Sequence, residues 1–229
     1  MTKTTLSIDI GVRNLAMCVM TRPDQGTRPV IDFWENIDTL EPEPLCTGVQ
    51  KNGNTCGKKC SAKGADGTPS CKNHAVSPSK PFKIRLVKSI PKQELILAVL
   101  ASLEKFINEN EPVIEKINKV LIELQPNVNP TMKLVSHVVY TRFIQLFLKR
   151  ATVTFIRAST KLKCKVPGLT KGTCRLNYAQ RKRTAVDYTK CILERYFPER
   201  YTPFCETKVQ ADLADAFLYC VNDHSVSFF

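Results

Sequence analysis

Thr5–Ala16 reads TLSIDIGVRNLA. Thr5–Ile10 has the aliphatic character of a short buried strand, and Leu15–Met20 that of a second. Gly11-Val12-Arg13-Asn14 between them is a tight turn. Asp9 stands where a core strand would carry another aliphatic residue. A carboxylate at the end of a buried strand is costly unless positive charge faces it. The stretch therefore predicts Asp9 as the central ligand of a cation site, joined by acids from further along the chain.

Outward from that strand, Thr4–Asp9, Leu15–Thr21 and Val30–Glu35 form an antiparallel meander. Pro91–Asn110 carries Leu95, Val99, Leu103 and Phe106 at helical spacing, with Pro91 suited to a first turn. Lys119–Leu124, KVLIEL, is a buried strand that Glu123 interrupts. Met132–Lys149 is a long helix with a broad apolar face, either a dimer contact or part of the monomer core. Ala151–Arg157 is the fifth strand, and Ser159–Asn177 is a basic, glycine-bearing mobile loop. Tyr178–Tyr196 and Lys208–Val221 are the closing helices. This order predicts an α/β fold, a mixed five-stranded sheet flanked by helices, without internal repeats. Residues 1–41 and 81–229 form the main domain. Residues 42–80, poor in large aliphatics and rich in Lys, Gly, Cys and Ser, form an insert.

The 229 residues carry a net charge of +13, which favours a polyanionic partner. No apolar run approaches the roughly 18–20 residues of a membrane span, and no secretory signal opens the chain. The expected location is intracellular, a cytoplasmic viral factory or the nucleus, and the protein is not expected to be secreted or membrane-bound. A disulfide framework is correspondingly not expected from the ten cysteines.

Asp212 and Asp215 lie three apart on a predicted helix and so share a face, among Ala211, Leu213, Ala214 and Ala216. Two carboxylates about 4 Å apart repel by roughly 4 kcal/mol at an effective dielectric of about 20. A divalent cation removes that repulsion, and hard oxygen ligands suit Mg²⁺ or Mn²⁺.

SIDIGVRNLA from Ser7, LIELQPN from Leu121 and QADLADA from Gln210 together resemble the acidic motifs of RuvC-type Holliday junction resolvases, above all those of poxviruses and other large DNA viruses. The resemblance runs from about residue 4 to about residue 221, apart from the insert. It implies an RNase H-like fold, a homodimer, and paired symmetric nicks in four-way DNA junctions during recombination and repair. It implies two Mg²⁺ per active site, held by Asp9, Glu123, Asp212 and Asp215. It also implies a lysine near the scissile phosphate, for which Lys182 is the candidate and Arg183 and Lys190 the alternatives. Rival readings are a flap or RNA–DNA hybrid nuclease on the same fold, and a non-catalytic zinc-finger DNA-binding factor. An actin-like ATPase also opens on such a strand and turn, but needs a second domain and phosphate loop.

Within the insert, Cys46, Cys56, Cys60, Cys71 and His74 have the residue types of a Zn²⁺ site, which takes four N or S ligands. Cys46, Cys56, Cys71 and His74 are the expected set, with Cys60 able to replace Cys56. The pattern resembles small treble-clef-like fingers of large DNA viruses. His137 is expected in a core or interface, and His224 merely near the tail. Arg157–Arg200 holds 12 Lys/Arg against 3 Asp/Glu, with Tyr178, Tyr188 and Tyr196 interleaved. That stretch predicts phosphate contacts from Lys161, Lys163, Lys165, Lys171, Arg175, Arg181 and Arg183, joined by Arg13 and Lys133 beside the acidic motifs.

Overall fold

A computed structural model of the chain describes residues 2–23, 28–40, 45–58, 60–63, 67–75, 80–81, 90–164 and 176–224. The chain divides into two compact units, Met1–Thr39 with Ile96–Phe229, and Leu40–Leu95. The second unit extends past the expected insert, 42–80, on its C-terminal side.

The first unit is built on strands β1 (Lys3–Asp9), β2 (Asn14–Arg22) and β3 (Val30–Asp38). The short strands β4 (Ala62–Lys63), β5 (Pro69–Ser70) and β6 (Lys80–Pro81) form a separate sheet in the second unit, in the order β5-β4-β6. Helices α1 (Lys92–Glu109) and α2 (Glu111–Ile114) then lead to β7 (Lys119–Glu123), α3 (Pro130–Phe147) and β8 (Thr152–Ile156). The chain ends in α4 (Tyr178–Tyr196), α5 (Pro198–Glu206) and α6 (Gln210–His224). The main sheet has five strands in the order β3-β2-β1-β7-β8. Its first three strands pair antiparallel, whereas β1–β7 and β7–β8 are parallel. This is the mixed five-stranded sheet expected from the order of elements.

Strand alternation distributes the core over both faces. Leu6, Ile8, Leu15, Met17, Val120 and Ile122 pack against Val99, Leu103 and Phe106 of α1 and Val135, Val139 and Phe143 of α3. On the opposite face Ala16, Cys18 and Met20 meet Ala185 and Ile192 of α4, Phe204 of α5, and Ala214, Phe217 and Val221 of α6. Each large aliphatic or aromatic side chain so buried contributes about 1.5–3 kcal/mol. The remaining β1 positions, Thr5, Ser7 and Asp9, therefore face α6. Ser7 Oγ donates to the Ala216 carbonyl at 2.5 Å, and Thr5 Oγ1 donates to Asp223 Oδ2 at 2.8 Å. The small side chains of Ser7 and Ala216 let helix and strand approach that closely.

Local chemistry sets the element ends. A Cβ on Gly11 would lie 2.3 Å from the Asn14 carbonyl oxygen, so the β1–β2 turn requires glycine. The Asn129 side chain caps α3 by accepting from Met132 N, with Pro130 in the first turn. Asn177 and Gln180 form a reciprocal capping box that starts α4.

The structure sharpens three expectations. The start of the expected mobile loop is a 3₁₀ turn, Ala158–Lys163, clamped where Asn222 Nδ2 donates to the carbonyls of Thr160 and Lys161 at 2.8 and 3.2 Å. His137 is exposed on α3, where its Nδ1 lies 2.7 Å from the Lys133 carbonyl, and is not part of the core. His224 is buried at the end of α6. Burial, and then the nearby Lys3 charge, push its imidazole pKa down to about 4.

Candidate active site

Parallel pairing of β1 with β7 sets Ile8 opposite Ile122, so the next residues, Asp9 and Glu123, leave adjacent strand ends together. Both have the parity that faces α6. On that helix Asp215 is fully buried. Carboxylate oxygens of Asp9, Glu123 and Asp215 all lie within 4.8 Å of one another. Asp212, one turn earlier, is outside this tight set; it accepts from Lys182 Nζ at 3.1 Å and from Asn14 Nδ2 at 3.5 Å.

Two ammonium groups face the acids. Lys182 Nζ from α4 lies 2.6 Å from Asp215 Oδ2, 3.1 Å from Asp212 Oδ1 and 3.7 Å from Asp9 Oδ2. Lys161 Nζ lies 2.5 Å from the same Asp215 Oδ2 and 4.0 Å from Glu123 Oε2. Burial opposes the charge on Lys182, but Asp9, Asp215 and Asp212 outweigh it and hold its pKa well above the usual range. Asp9 is driven the other way from an ordinary carboxyl. Burial, then the charge of Glu123, raises its pKa well above the normal value, and Lys182 only partly offsets this.

The chemistry of the set fits a hard divalent cation. Asp215 Oδ1 and Glu123 Oε2 are buried without a hydrogen-bond partner among the described residues. Such atoms are expensive unless something positive completes them. The Tyr219 hydroxyl is also buried without a hydrogen-bond partner among the described residues. Burial and the charges of Glu123 and Asp9 raise its phenol pKa well above the usual range, so it stays a neutral donor beside them. Nothing in the local sequence signals Tyr219 beyond its place one helical turn after Asp215.

The acids floor a cleft of about 1110 Å³ whose lining includes Arg13, Lys133, His137, Tyr178 and Arg181. Arg13 also pairs with Asp38 at 3.2 Å, and Lys133 Nζ donates to Asn127 Oδ1 at 2.8 Å. Arg181 and Arg183 are exposed, but Arg183 and Lys190 do not line the cleft. Lys163 is exposed on the 3₁₀ turn. Lys161, expected to contact phosphate, lines the cleft as a buried partner of Asp215, because its 3₁₀ turn packs on α6. Lys165, Lys171 and Arg175 lie outside the described residues.

With this geometry in place, the chain can be set beside known proteins. No family model and no curated protein matches it. The fowlpox virus resolvase, solved with its substrate Holliday junction DNA, superposes with a TM-score of 0.51 at 12% identity, over 96% of this chain and 97% of that one. The fowlpox virus Holliday junction resolvase solved alone gives 0.52 at 11% identity, over 99% of each chain. The chain shares the fold of the fowlpox virus enzyme.

The second unit holds its own cluster. Donor atoms of Cys46, Cys56, Cys71 and His74 lie within 4.8 Å of one another. Cys56 Sγ is 3.8 Å from Cys71 Sγ, while His74 Nδ1 is 3.4 Å from Cys46 Sγ and 3.6 Å from Cys71 Sγ. A tetrahedron around Zn²⁺ with Zn–S of about 2.3 Å and Zn–N of about 2.0–2.1 Å has edges of about 3.8 Å (S–S) and about 3.5 Å (S–N). The four donors fit that frame. Cys60 is turned away, its Sγ donating to the carbonyls of Ala62 and Ser70 at 2.8 and 3.2 Å. Burial works against a thiolate at Cys71, but the backbone amides of Asn73 and His74 and the thiols of Cys46 and Cys56 lower its pKa to about 6. Gly48 passes under His74, where a Cβ would meet the ring at 2.6 Å.

Proposed function

We propose that this chain is an Mg²⁺-dependent, structure-selective endonuclease that resolves four-way DNA junctions by paired symmetric nicks, acting as a homodimer. The observation that carries the reading is the pair of buried oxygens without a hydrogen bond among the described residues, Asp215 Oδ1 and Glu123 Oε2, in a three-acid set at the floor of a basic-rimmed cleft. The fold shared with a resolvase solved on junction DNA supports the choice of substrate.

Asp9, Glu123 and Asp215 would hold the ions, with Asp212 at the edge of the set. Bound there, two divalent ions would supply activation of a water and stabilisation of the leaving oxygen. The chain's own groups do the rest. Lys182, on the cleft wall and in contact with three acids, is placed to turn its ammonium to a phosphate oxygen. Arg13, Lys133 and Arg181 would anchor flanking phosphates, reading junction shape more than base edges. Tyr178 is exposed beside them and offers a stacking face.

The test is cleavage of a synthetic four-way junction in Mg²⁺, with cut sites mapped on both strands. Wild type should cut symmetrically, and Asp9→Asn should bind the junction but cut at least about a hundredfold more slowly, because even outer-shell changes cost 10–100-fold. A preference for an RNA–DNA hybrid or a flap would replace this reading with the other nuclease. Undiminished function of Asp9→Asn in cells would favour a DNA-binding factor.

For the second unit we infer a structural Zn²⁺ on Cys46, Cys56, Cys71 and His74. Ion binding would offset the small core of that segment. Elemental analysis of protein purified without chelators should find about one zinc per chain. Cys71→Ser should lose it and Cys60→Ser keep it; loss in Cys60→Ser would reinstate Cys60 as a ligand.

A further inference from the structure

The second unit presents charge of one sign. Among the described residues of the span 45–81, Lys51, Lys58, Lys63 and Lys72 are exposed and no Asp or Glu occurs. Lys51 stands at the tip of a hairpin that the Val49–Thr55 bridge closes. The tip is a defined turn: Gln50 N donates to the Asn54 carbonyl at 2.8 Å, and Gly53 N to the Gln50 carbonyl at 2.9 Å. Gly53 has a φ of +83°, which a glycine adopts without strain. The foot of the hairpin is the cysteine cluster. Cys46 N donates to the Lys58 carbonyl at 2.8 Å, Gly57 N to the Cys46 carbonyl at 3.0 Å, and Cys56 N to the Gly48 carbonyl at 2.7 Å. Lys58 leaves that foot, and Lys72 directly follows Cys71. The same thiols that would hold Zn²⁺ thus fix the base from which the lysines project. Three thiolates around Zn²⁺ leave one formal negative charge, so the four lysines keep a surplus of positive charge. Val49, 66% exposed on the hairpin arm, adds nothing to the small core of the unit.

We propose that the second unit is a zinc-organised DNA contact, whose hairpin tip and flanking lysines bind phosphates in addition to those held by the cleft. Zinc occupancy then sets affinity for junction DNA, while the acid set sets the rate of cutting. The inference rests on the zinc and nuclease readings above. A row of exposed ammoniums without acids among them fits a polyanion, and the net charge of +13 gives the whole chain the same preference. Contacts of this kind are independent of base sequence.

The test is binding of a labelled synthetic four-way junction by fluorescence anisotropy, without Mg²⁺, across about 50–200 mM salt. It compares the full chain with a variant carrying Lys51→Gln, Lys58→Gln and Lys72→Gln together, and with Cys71→Ser. Counterion release makes each phosphate contact worth about fivefold in affinity near 0.15 M salt. The triple variant should keep its zinc, bind at least about tenfold more weakly at that salt, and show a salt dependence flatter by about 2–3 in log–log slope. Cys71→Ser should weaken binding in the same direction. In Mg²⁺ the triple variant should need at least about tenfold more protein for half-maximal cutting, with the rate at saturation within about twofold of wild type. Wild-type affinity and slope in a triple variant that keeps its zinc would make the unit purely structural and overturn the proposal. An equal fall in the saturated rate would overturn it too, by placing the unit in the chemistry. If the triple variant loses zinc, Lys51→Gln alone, remote from the ligands, decides by a loss of about threefold to fivefold and a slope change of about 1. Zinc analysis of wild type separates a failure of the zinc reading, and its cutting in Mg²⁺ a failure of the nuclease reading.

Discussion

The seam between β1 and α6 has two ends, one holding Asp223 and the other Asp9, Glu123 and Asp215. At one end Asp223 accepts from Thr5 Oγ1 at 2.8 Å and from Lys119 Nζ at 2.6 Å, and pairs with Lys3 at 3.0 Å. Its carboxyl is held below the usual range because, although burial opposes this, those three donors outweigh it. At the other end Asp9, Glu123 and Asp215 crowd together, and two of their oxygens have no hydrogen-bond partner among the described residues. Asp9 is correspondingly pushed up. One strand and one helix thus hold a satisfied carboxylate and an unsatisfied set. The satisfied end stabilises the fold, while the unsatisfied end keeps free oxygens for a ligand.

Breaking each end should have opposite consequences. Asp223→Ala removes the partner of two ammoniums and a hydroxyl, and should cost about 2–3 kcal/mol after allowing for the partly exposed lysines. That lowers the melting temperature by about 4–12 °C in a chain of this size. Junction cleavage per folded molecule should stay at the wild-type level. Asp9→Asn removes a repelled charge, so the metal-free protein should melt at least as high as wild type, while the stabilisation given by Mg²⁺ disappears. Thermal melts of both variants with and without Mg²⁺ check the contrast. If both variants lost stability equally, the two ends would not differ in kind.

How far the sequence carries this contrast is instructive. Asp9 and Glu123 stand out because each interrupts an aliphatic strand, and α4 runs over Tyr178–Tyr196, the span expected of it. Those signals are local. The pairing register that brings the two strand ends together is not, and neither is the partner of Lys161, which lies 54 residues away in Asp215. A lysine within a basic stretch gives no local sign of burial. Helix α5 is not anticipated because Pro203 falls inside it and Pro198 opens it. Its place is secured by Phe204, which packs into the α4–α6 core and stacks 5.2 Å from Trp34. In the second unit spacing alone leaves Cys56 and Cys60 interchangeable, whereas the carbonyls around Cys60 turn it away from the other thiols.

A pH titration sharpens the comparison further. His224 adjoins Asp223 at the satisfied end, with Lys3 and Arg22 as the other charges acting on it. Its folded pKa of about 4 is below the unfolded value of about 6.5, so between those limits the unfolded chain binds more protons. Stability from this group is therefore complete above about pH 6.5 and is lost as pH falls towards 4, by at most about 3 kcal/mol. Asp9 has the opposite sign. Its raised folded pKa makes the metal-free protein gain stability as pH falls through that value towards the unfolded one. Melting curves of wild type and His224→Gln, both in Mg²⁺ to keep Asp9 ionised, separate the two. The wild-type advantage should shrink steadily from pH 7 to pH 4.5. A constant difference would mean that His224 is protonated equally in both states, and that only the metal-facing end of the seam responds to pH.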